Sequence, residues 1–508
     1  MLIGDIFRNA ARAVPDRSAA VLGDTVLTYA QIDSCANRTA RALARLGISR
    51  GDRVVVWSAT SLDTVPVFAA LAKLGAVFAP VNAGLSAAEA MDTVLPADPA
   101  LIVCDLDRVE RAAEVSATTG MPVAHIAGLA GGASADAGED RGASGAVTAS
   151  LAALAGKEDE SDFVSPDVTE HDPQVVFFTS GSTGRPKGAI LSHRVNFLRT
   201  HPGSQLEPRG AMVCPYPLFH MGAWTIALQQ WQARDAVIFL ESADAASICA
   251  AIERHRATRL NSIPAVWRRV LDHLASPEGR HRDMTSVRFA DTGTSATPLD
   301  LLEAIRAAMP NAVVRVFYGS TEAGAVAMLE DADLARKPGS CGPPAPFQQV
   351  RLDERGELCT RGPLLFSGYF GNPEATADAL ADGWYHTGDL AELDSDGYIT
   401  IVGRARDVIR TGGESVTPSE VESVLADHPA VADLAVIGIP DVQWGEVVCA
   451  VVVTRAGAPA PTVEQLRSHC TGRLASYKHP RRVEVVDAIP RTPATNQVQR
   501  RLLVERLA

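Results

Sequence analysis

The sequence predicts an α/β fold: a large N-terminal domain of parallel or mixed sheets flanked by helices, followed by a small α+β domain. Three observations predict it. Apolar runs that read as buried strands alternate with stretches of helical periodicity, the pattern of a parallel sheet covered on both faces. The chain has 508 residues, too many for one hydrophobic core, so more than one domain is expected. Toward the C-terminus the pattern becomes a helix and two longer strands within roughly a hundred residues, an ordinary domain size.

The elements follow in order. Residues 19–22 and 26–29 flank Gly23-Asp24, a turn signal, so a short hairpin sits among the helical segments of residues 5–48. A helix opens at Tyr29 and keeps its apolar spacing through Leu43, Leu46 and Ile48. Residues 54–57 read as a buried strand, residues 67–71 as a helix and residues 75–82 as the next strand. Residues 101–105 and 121–126 continue the alternation. Residues 127–160 are rich in Gly, Ala, Ser and acidic side chains, which predicts a flexible surface excursion. Further strands are expected at 175–178, 237–240 and 260–264. Near the C-terminus, residues 421–425 read as helix, and 432–439 and 447–454 as strands.

Hydrophobic residues make up 46% of the chain and charged residues 21%, the composition of a soluble globular protein. The net charge of -13, with no dense Lys/Arg block, argues against a nucleic-acid-binding face. Eight cysteines without a Cys-x-x-Cys pair suggest neither a zinc site nor a disulfide framework. The opening Met1-Leu2-Ile3-Gly4-Asp5-Ile6-Phe7 lacks the basic flank and apolar core of a signal peptide. No apolar run is long enough to span a bilayer. A reduced cytoplasmic setting is therefore the default expectation.

The most informative stretch is Thr179-Ser180-Gly181-Ser182-Thr183-Gly184-Arg185-Pro186-Lys187-Gly188. Its glycines let backbone amides approach an anion, and successive amides can form a nest for phosphate oxygens. Its hydroxyls add donors, and Arg185 and Lys187 add positive charge. The spacing is neither a Walker A loop nor the Gly-x-Gly-x-x-Gly of dinucleotide folds. From the residues alone, two readings stand: a phosphate loop, or a flexible surface loop between a strand and a helix. Two further strings carry chemistry. In Val316-Phe317-Tyr318-Gly319-Ser320-Thr321-Glu322, Gly319 allows close backbone approach and Glu322 is a hard oxygen ligand for a divalent cation. In Trp384-Tyr385-His386-Thr387-Gly388-Asp389-Leu390, a carboxylate beside a tight turn can accept two hydroxyls.

Together, and in this order, the three strings closely resemble the motifs of the adenylate-forming enzymes: acyl-CoA synthetases, aryl-CoA ligases, luciferases and adenylation domains. The resemblance covers nearly the whole chain and is most like a bacterial fatty-acyl-CoA ligase. It implies that Thr179, Ser180, Gly181, Ser182, Thr183, Gly184 and Lys187 hold the phosphates of ATP. It implies that Gly293, Thr294, Tyr318 and Gly319 hold the adenine, although relatives usually carry two adjacent glycines where this chain has Gly293-Thr294. Thr321 would then reach the α-phosphate, Glu322 would bind Mg²⁺, and Asp389 and Arg404 would reach the ribose. The family pattern divides the chain into residues 1–403 and 404–508, with a mobile small domain turning about a hinge at Arg406. Gly412 and Gly413 would lie on the loop that admits the pantetheine arm of coenzyme A. The segments Met212-Val213-Cys214-Pro215-Tyr216-Pro217-Leu218-Phe219-His220-Met221-Gly222 and Pro264-Ala265-Val266-Trp267 resemble linings of the acyl pocket, and Ala223, Trp224, Trp267 and Thr294 suggest that this pocket is apolar. From the residues, His220 is either a pocket residue or a satisfied buried imidazole, and Trp267 is either pocket or core.

The pattern breaks near the end. After Pro490-Arg491-Thr492-Pro493, relatives place a Gly-Lys pair whose lysine contacts the carboxylate, ribose and α-phosphate. Here the pair is Asn496-Gln497. A neutral amide stabilises developing charge far less well than a cation. Another cation (Lys478, Arg500 or Arg410) could substitute, the first step could be slow, or the substitution could have been introduced to hold one state. The resemblance implies a ligase that activates a fatty or other apolar acid with ATP and Mg²⁺ and passes the acyl group to coenzyme A. Its partners would be a small carboxylic acid and coenzyme A or a carrier protein, with no nucleic acid, in a monomer or homodimer. The alternatives are an acyl-AMP ligase serving a separate carrier protein and a catalytically impaired nucleotide- or acyl-binding homologue.

Overall fold

Strands that are apolar on both faces exist only between two layers of helix, and the first two hundred residues build one such sheet. The computed structural model describes residues 1–131, 148–180, 186–201, 209–293, 297–412, 414–492 and 496–507, the side chains of Thr148, Thr179 and Ser180 excepted. The first sheet runs Thr148–Ser150, Val123–His125, Leu101–Cys104, Arg53–Trp57, Val77–Val81, Pro173–Ser180 and Pro186–Ser192. Its neighbours are parallel except the last pair, which is antiparallel. Val54, Val56, Phe78 and Val103 face the helices Ile3–Ala13, Tyr29–Arg45 and Thr64–Leu74. Val55, Trp57, Ala79 and Ile102 face Ala87–Ala97 and Val109–Thr119. Capping boxes start two of these helices: Thr28 with Gln31, and Ser86 with Glu89.

The second sheet runs Gly324–Leu329, Val313–Ser320, Phe289–Gly293, Arg259–Ser262, Met212–Cys214, Val237–Phe239, Ser18–Leu22 and Thr25–Thr28. It is parallel through the middle and antiparallel at both ends. An aromatic cluster fills the core between the two sheets. Phe68 stacks on Trp224 at 4.1 Å and 12°, and Phe7, Phe78 and Trp231 surround the pair. A third, antiparallel sheet holds Gln349–Leu352, Glu357–Arg361, Tyr385–Leu393 and Ile399–Arg404. The fourth, in the C-terminal region, holds Glu414–Val416, Ile409–Thr411, Gly445–Thr454 and Val431–Asp441, with Arg482–Val485 beside Gly445–Thr454. This is the mixed α/β architecture, large region plus small region, that the residue pattern predicts. Arg406 lies in the turn Ala405–Asp407 that joins the third sheet to the fourth.

Two expectations change. Residues 132–147 lie outside the described residues, but their neighbours do not form a loose excursion. Thr148–Ser150 is the edge strand of the first sheet, and Leu151 of the helix Leu151–Ala155 is fully buried. The apolar pair Leu151-Ala152 was too short a signal to stand out in an Ala/Gly/Ser-rich stretch. The motif at 179–188 also does not join a strand to a helix. It closes an antiparallel hairpin, with Thr179 opposite Lys187 and Ser180 opposite Pro186. The apolar residues Ala189 and Leu191 are fully buried and drive the second strand. All eight cysteines are buried and unpaired. No helix among the described residues is long and apolar enough to cross a membrane.

Candidate active site

The strands Phe289–Gly293 and Val313–Ser320 are parallel neighbours, so the two predicted nucleotide segments end side by side. Both ends need glycine. A Cβ on Gly293 would sit 2.4 Å from the Phe317 carbonyl oxygen, and one on Gly319 would sit 2.1 Å from that of Gly324. Thr294 lies outside the described residues, so the effect of its side chain on the slot is not defined.

The Thr321-Glu322 turn is held from below by a residue that no motif announced. Arg199, on the helix His193–Thr200, donates to the Thr321 carbonyl at 2.8 Å and the Glu322 carbonyl at 3.0 Å. It also donates twice to the Leu364 carbonyl, at 2.9 and 2.6 Å. Burial pulls its pKa down to about 9, with the Glu322 carboxylate opposing the shift, so the guanidinium stays charged at neutral pH. The Glu322 side chain is buried at 8% exposure. Its Oε1 accepts from the Tyr369 hydroxyl at 3.1 Å, and its Oε2 has no hydrogen-bond partner among the described residues. A carboxylate with one oxygen left uncommitted fits a hard divalent cation such as Mg²⁺. Tyr369 also faces the hairpin: the Lys187 ammonium lies 5.1 Å from its ring centroid. Gly181, Ser182, Thr183 and Gly184 lie outside the described residues, as do the side chains of Thr179 and Ser180.

Tyr318, Asp389 and Arg404 come together from three strands. The Tyr318 hydroxyl donates to Asp389 Oδ2 at 2.7 Å, and Arg404 Nε pairs with Oδ1 at 2.6 Å. Burial pushes the Asp389 carboxyl above the ordinary aspartate range, while Arg404 and the Tyr318 hydroxyl oppose that shift. Burial and the neighbouring Asp389 raise Tyr318 well above its usual value, so its hydroxyl remains a donor. Asp389 lies within the strand Tyr385–Leu393, not beside a turn, and Glu357 pins the backbone before it: Glu357 Oε1 accepts from the Gly388 amide at 2.7 Å. Glu357 clusters with Asp353 and His386, and Asp353 in turn accepts from the Arg355 and Glu357 amides at 2.8 Å.

His220 caps the helix Met221–Gln232: its Nδ1 accepts from the Gly222 amide at 3.1 Å, which leaves the proton on Nε2. Its ring stacks on Tyr216 at 5.7 Å, and burial pulls its pKa down to about 4, so it is neutral at pH 7. Trp224 and Trp267 pack as core. Trp224 Nε1 donates to the Leu218 carbonyl at 2.6 Å and Trp267 Nε1 to the Asp291 carbonyl at 3.0 Å. Their indoles meet the needs of the core first, because a large apolar ring with one satisfied donor is a stable buried group.

The C-terminal hairpin faces the large domain. Arg491, Thr492 and Asn496 line a cavity of about 530 Å³ together with Pro215, Tyr216, Ser262, Ile263, Val266 and Arg269. Thr492 and Gln497 close the hairpin twice, through Thr492 N to the Gln497 carbonyl at 2.8 Å and Gln497 N to Thr492 Oγ1 at 3.0 Å. The substitute cations are all engaged elsewhere. Arg500 pairs with Glu422 at 2.6 Å and Asp407 at 3.3 Å, Lys478 pairs with Glu420, and Arg410 donates to Ser415. Gly412 has φ +60 and lies against Trp444, whose carbonyl accepts its amide at 2.8 Å. Gly413 lies outside the described residues. Arg406 is exposed, 3.6 Å from Asp407.

Comparison with known proteins places this geometry. Residues 7–370 match the model of the AMP-binding enzyme family and residues 420–495 that of the AMP-binding enzyme C-terminal domain. A feruloyl-CoA synthase from Amycolatopsis sp is 34% identical over 95% of this chain and 94% of that protein. The long-chain-fatty-acid–CoA ligase FadD13 of Mycobacterium tuberculosis is 31% identical over 99% of this chain and 98% of its own length. The ATP-bound structure of MatB from Rhodopseudomonas palustris aligns with a TM-score of 0.85 at 28% identity, over 100% of this chain and 99% of that one. The chain belongs to the AMP-binding enzyme family, the adenylate-forming class whose members here are acid–thiol ligases.

Proposed function

We propose that the chain activates an apolar carboxylic acid with ATP and Mg²⁺ and transfers the acyl group to coenzyme A. The acid's carboxylate attacks the α-phosphorus, pyrophosphate leaves and an acyl-AMP forms. The thiol then attacks the acyl carbon and AMP leaves. Positioning and fixed charge carry such a reaction more than covalent chemistry by the protein. The observation that carries the reading is the convergence at two strand ends of groups far apart in sequence: Tyr318, Asp389 and Arg404 on one side, Lys187, Tyr369 and Glu322 on the other.

In this reading Asp389 and Arg404 orient the ribose, and Asp389 must exchange a protein donor for a ribose hydroxyl. Lys187 places charge on the phosphates. Mg²⁺, held by Glu322, would neutralise charge on the triphosphate when bound. Neutral His220 presents an Nε2 proton beside the cavity that Tyr216 lines. Two relatives are feruloyl-CoA synthases by name, and another is a long-chain-fatty-acid–CoA ligase. The test is pyrophosphate release with ferulate, benzoate, hexanoate, palmitate and acetate. Ferulate, benzoate or hexanoate should exceed acetate, and AMP release should then depend on coenzyme A. AMP release that requires a carrier protein instead would replace coenzyme A as the acceptor.

A second reading rests on Gln497 and on the engagement of Lys478, Arg500 and Arg410 elsewhere. It is a homologue that binds nucleotide and acid and adenylates slowly or not at all. Binding of AMP without pyrophosphate release from any of the five acids would favour it.

A further inference from the structure

We propose that Tyr369 is a positioning residue that ties the cation of the 179–188 motif to the carboxylate of the Thr321-Glu322 turn. This rests on the nucleotide site of the proposed function and adds a residue to it. Tyr369 belongs to none of the three strings that announce the site, yet it touches two of them. Its hydroxyl donates to Glu322 Oε1 at 3.1 Å, and its ring face carries the Lys187 ammonium at 5.1 Å from the centroid. The first contact fixes one oxygen of Glu322 and leaves Oε2 for a metal. The second seats a cation on the quadrupole of the ring.

The backbone around Tyr369 is fastened on both sides. Toward the hairpin, the Phe370 amide donates to the Gly188 carbonyl at 2.8 Å, the Ile190 amide to Gly368 at 3.0 Å and the Ser367 amide to Ile190 at 2.9 Å. Toward the turn, the Phe366 amide donates to the Glu322 carbonyl at 2.7 Å, and Arg199 clamps Leu364 to Thr321 and Glu322. Phe366 packs edge-on against the Tyr369 ring at 4.8 Å, which fixes its plane. A segment held this way has one geometry in which hydroxyl and ring serve both motifs. A packing role alone would not require the hydroxyl to point at the Glu322 carboxylate, which the proposed function assigns to the metal.

Two variants separate the contacts. Tyr369→Phe keeps the ring and removes only the hydroxyl, and Tyr369→Leu removes both. Manganese binding in the presence of ATP, read by electron paramagnetic resonance, reports the Glu322 contact without turnover. AMP binding by calorimetry serves as the reference, because AMP has no β- or γ-phosphate. For Tyr369→Phe, manganese affinity should fall about tenfold or more while AMP affinity stays within about twofold, the usual scale for losing a partner of a metal ligand. Tyr369→Leu should weaken metal-free ATP as well, measured with EDTA present. Manganese affinity unchanged in Tyr369→Phe would overturn the assignment. So would an equal fall for manganese–ATP and AMP, which marks general loosening. Failure of the unaltered chain to bind either AMP or manganese–ATP would remove the nucleotide site itself, and the role of Tyr369 with it.

Discussion

Of the departures from the pattern its motifs follow, the one at Asn496-Gln497 removes a charge. Asn496 holds φ +54, a left-handed backbone that asparagine tolerates and glycine adopts freely, so the turn keeps its shape. Gln497 then stands where the pattern has a lysine, and the charge is gone. Arg491 beside it is spent on Asp433 at 2.7 Å. Gln497→Lys with Asn496→Gly should therefore raise pyrophosphate release by up to roughly a hundredfold, the scale of one charge-assisted contact at a transition state. Coenzyme A-dependent AMP release from supplied acyl-AMP should stay nearly constant. No rise in pyrophosphate release would mean that another cation already serves. Arg269 would be the next to remove, since it lines the same cavity and has no ion-pair partner among the described residues. Legibility at this scale followed chemistry. Lys187, Tyr318, Glu322, Asp389 and Arg404 could be singled out because each is a charged or aromatic group in a fixed string. Arg199 and Tyr369 could not, because the partners of Arg199 are backbone carbonyls 122 to 165 residues away that carry no sequence signal, and the carboxylate that the Tyr369 hydroxyl meets is 47 residues away.

At the scale of elements, the alternation of apolar runs and helical periods predicted the parallel sheets, because a strand buried on both faces has no polar alternative. At 179–188 it left a phosphate loop and a strand-to-helix surface loop as the two readings, and the hairpin excludes the strand-to-helix geometry, because glycines and hydroxyls suit a strand-to-strand turn as well. The same pattern could not anticipate how the turn at Thr321-Glu322 is locked. Its lock is a buried guanidinium whose four donor contacts all go to carbonyls. A lysine keeps the charge but lacks the planar fork, so it leaves at least one of these carbonyls unpaired. Arg199→Lys should cost about 2 kcal/mol or more, from the desolvation of that carbonyl and the strain of placing an ammonium there. Denaturant unfolding would measure it as a lower midpoint at unchanged slope. A shift corresponding to less than about 0.5 kcal/mol would show that water or a neighbouring donor replaces the fork.

The proposed function asks two reactions of one small domain, and among the described residues one face of that domain meets the cavity. Arg491, Thr492 and Asn496 line it, while Gly412 rests on Trp444 within the small domain's own sheet. The proposed transfer to coenzyme A requires those faces to exchange. The covalent link available for the exchange is the turn Ala405–Asp407. On its small-domain side Asp407 pairs with Arg500 at 3.3 Å, which reaches Glu422 in turn, while the Ser419 hydroxyl donates to the Val402 carbonyl across the link, a contact that rotation must break. We propose that rotation is taken up at Arg406, exposed in that turn beside the fastened Asp407. Proline there fixes φ near −65° and removes the freedom to turn. Arg406→Pro should lower coenzyme A-dependent AMP release from supplied acyl-AMP by about tenfold or more, and pyrophosphate release by less than about threefold, because only the second reaction needs the other face. Arg406→Ala, which keeps the backbone free, should spare both. Equal loss of both steps in the proline variant, with the melting temperature unchanged, would place the pivot elsewhere in the 405–408 turn.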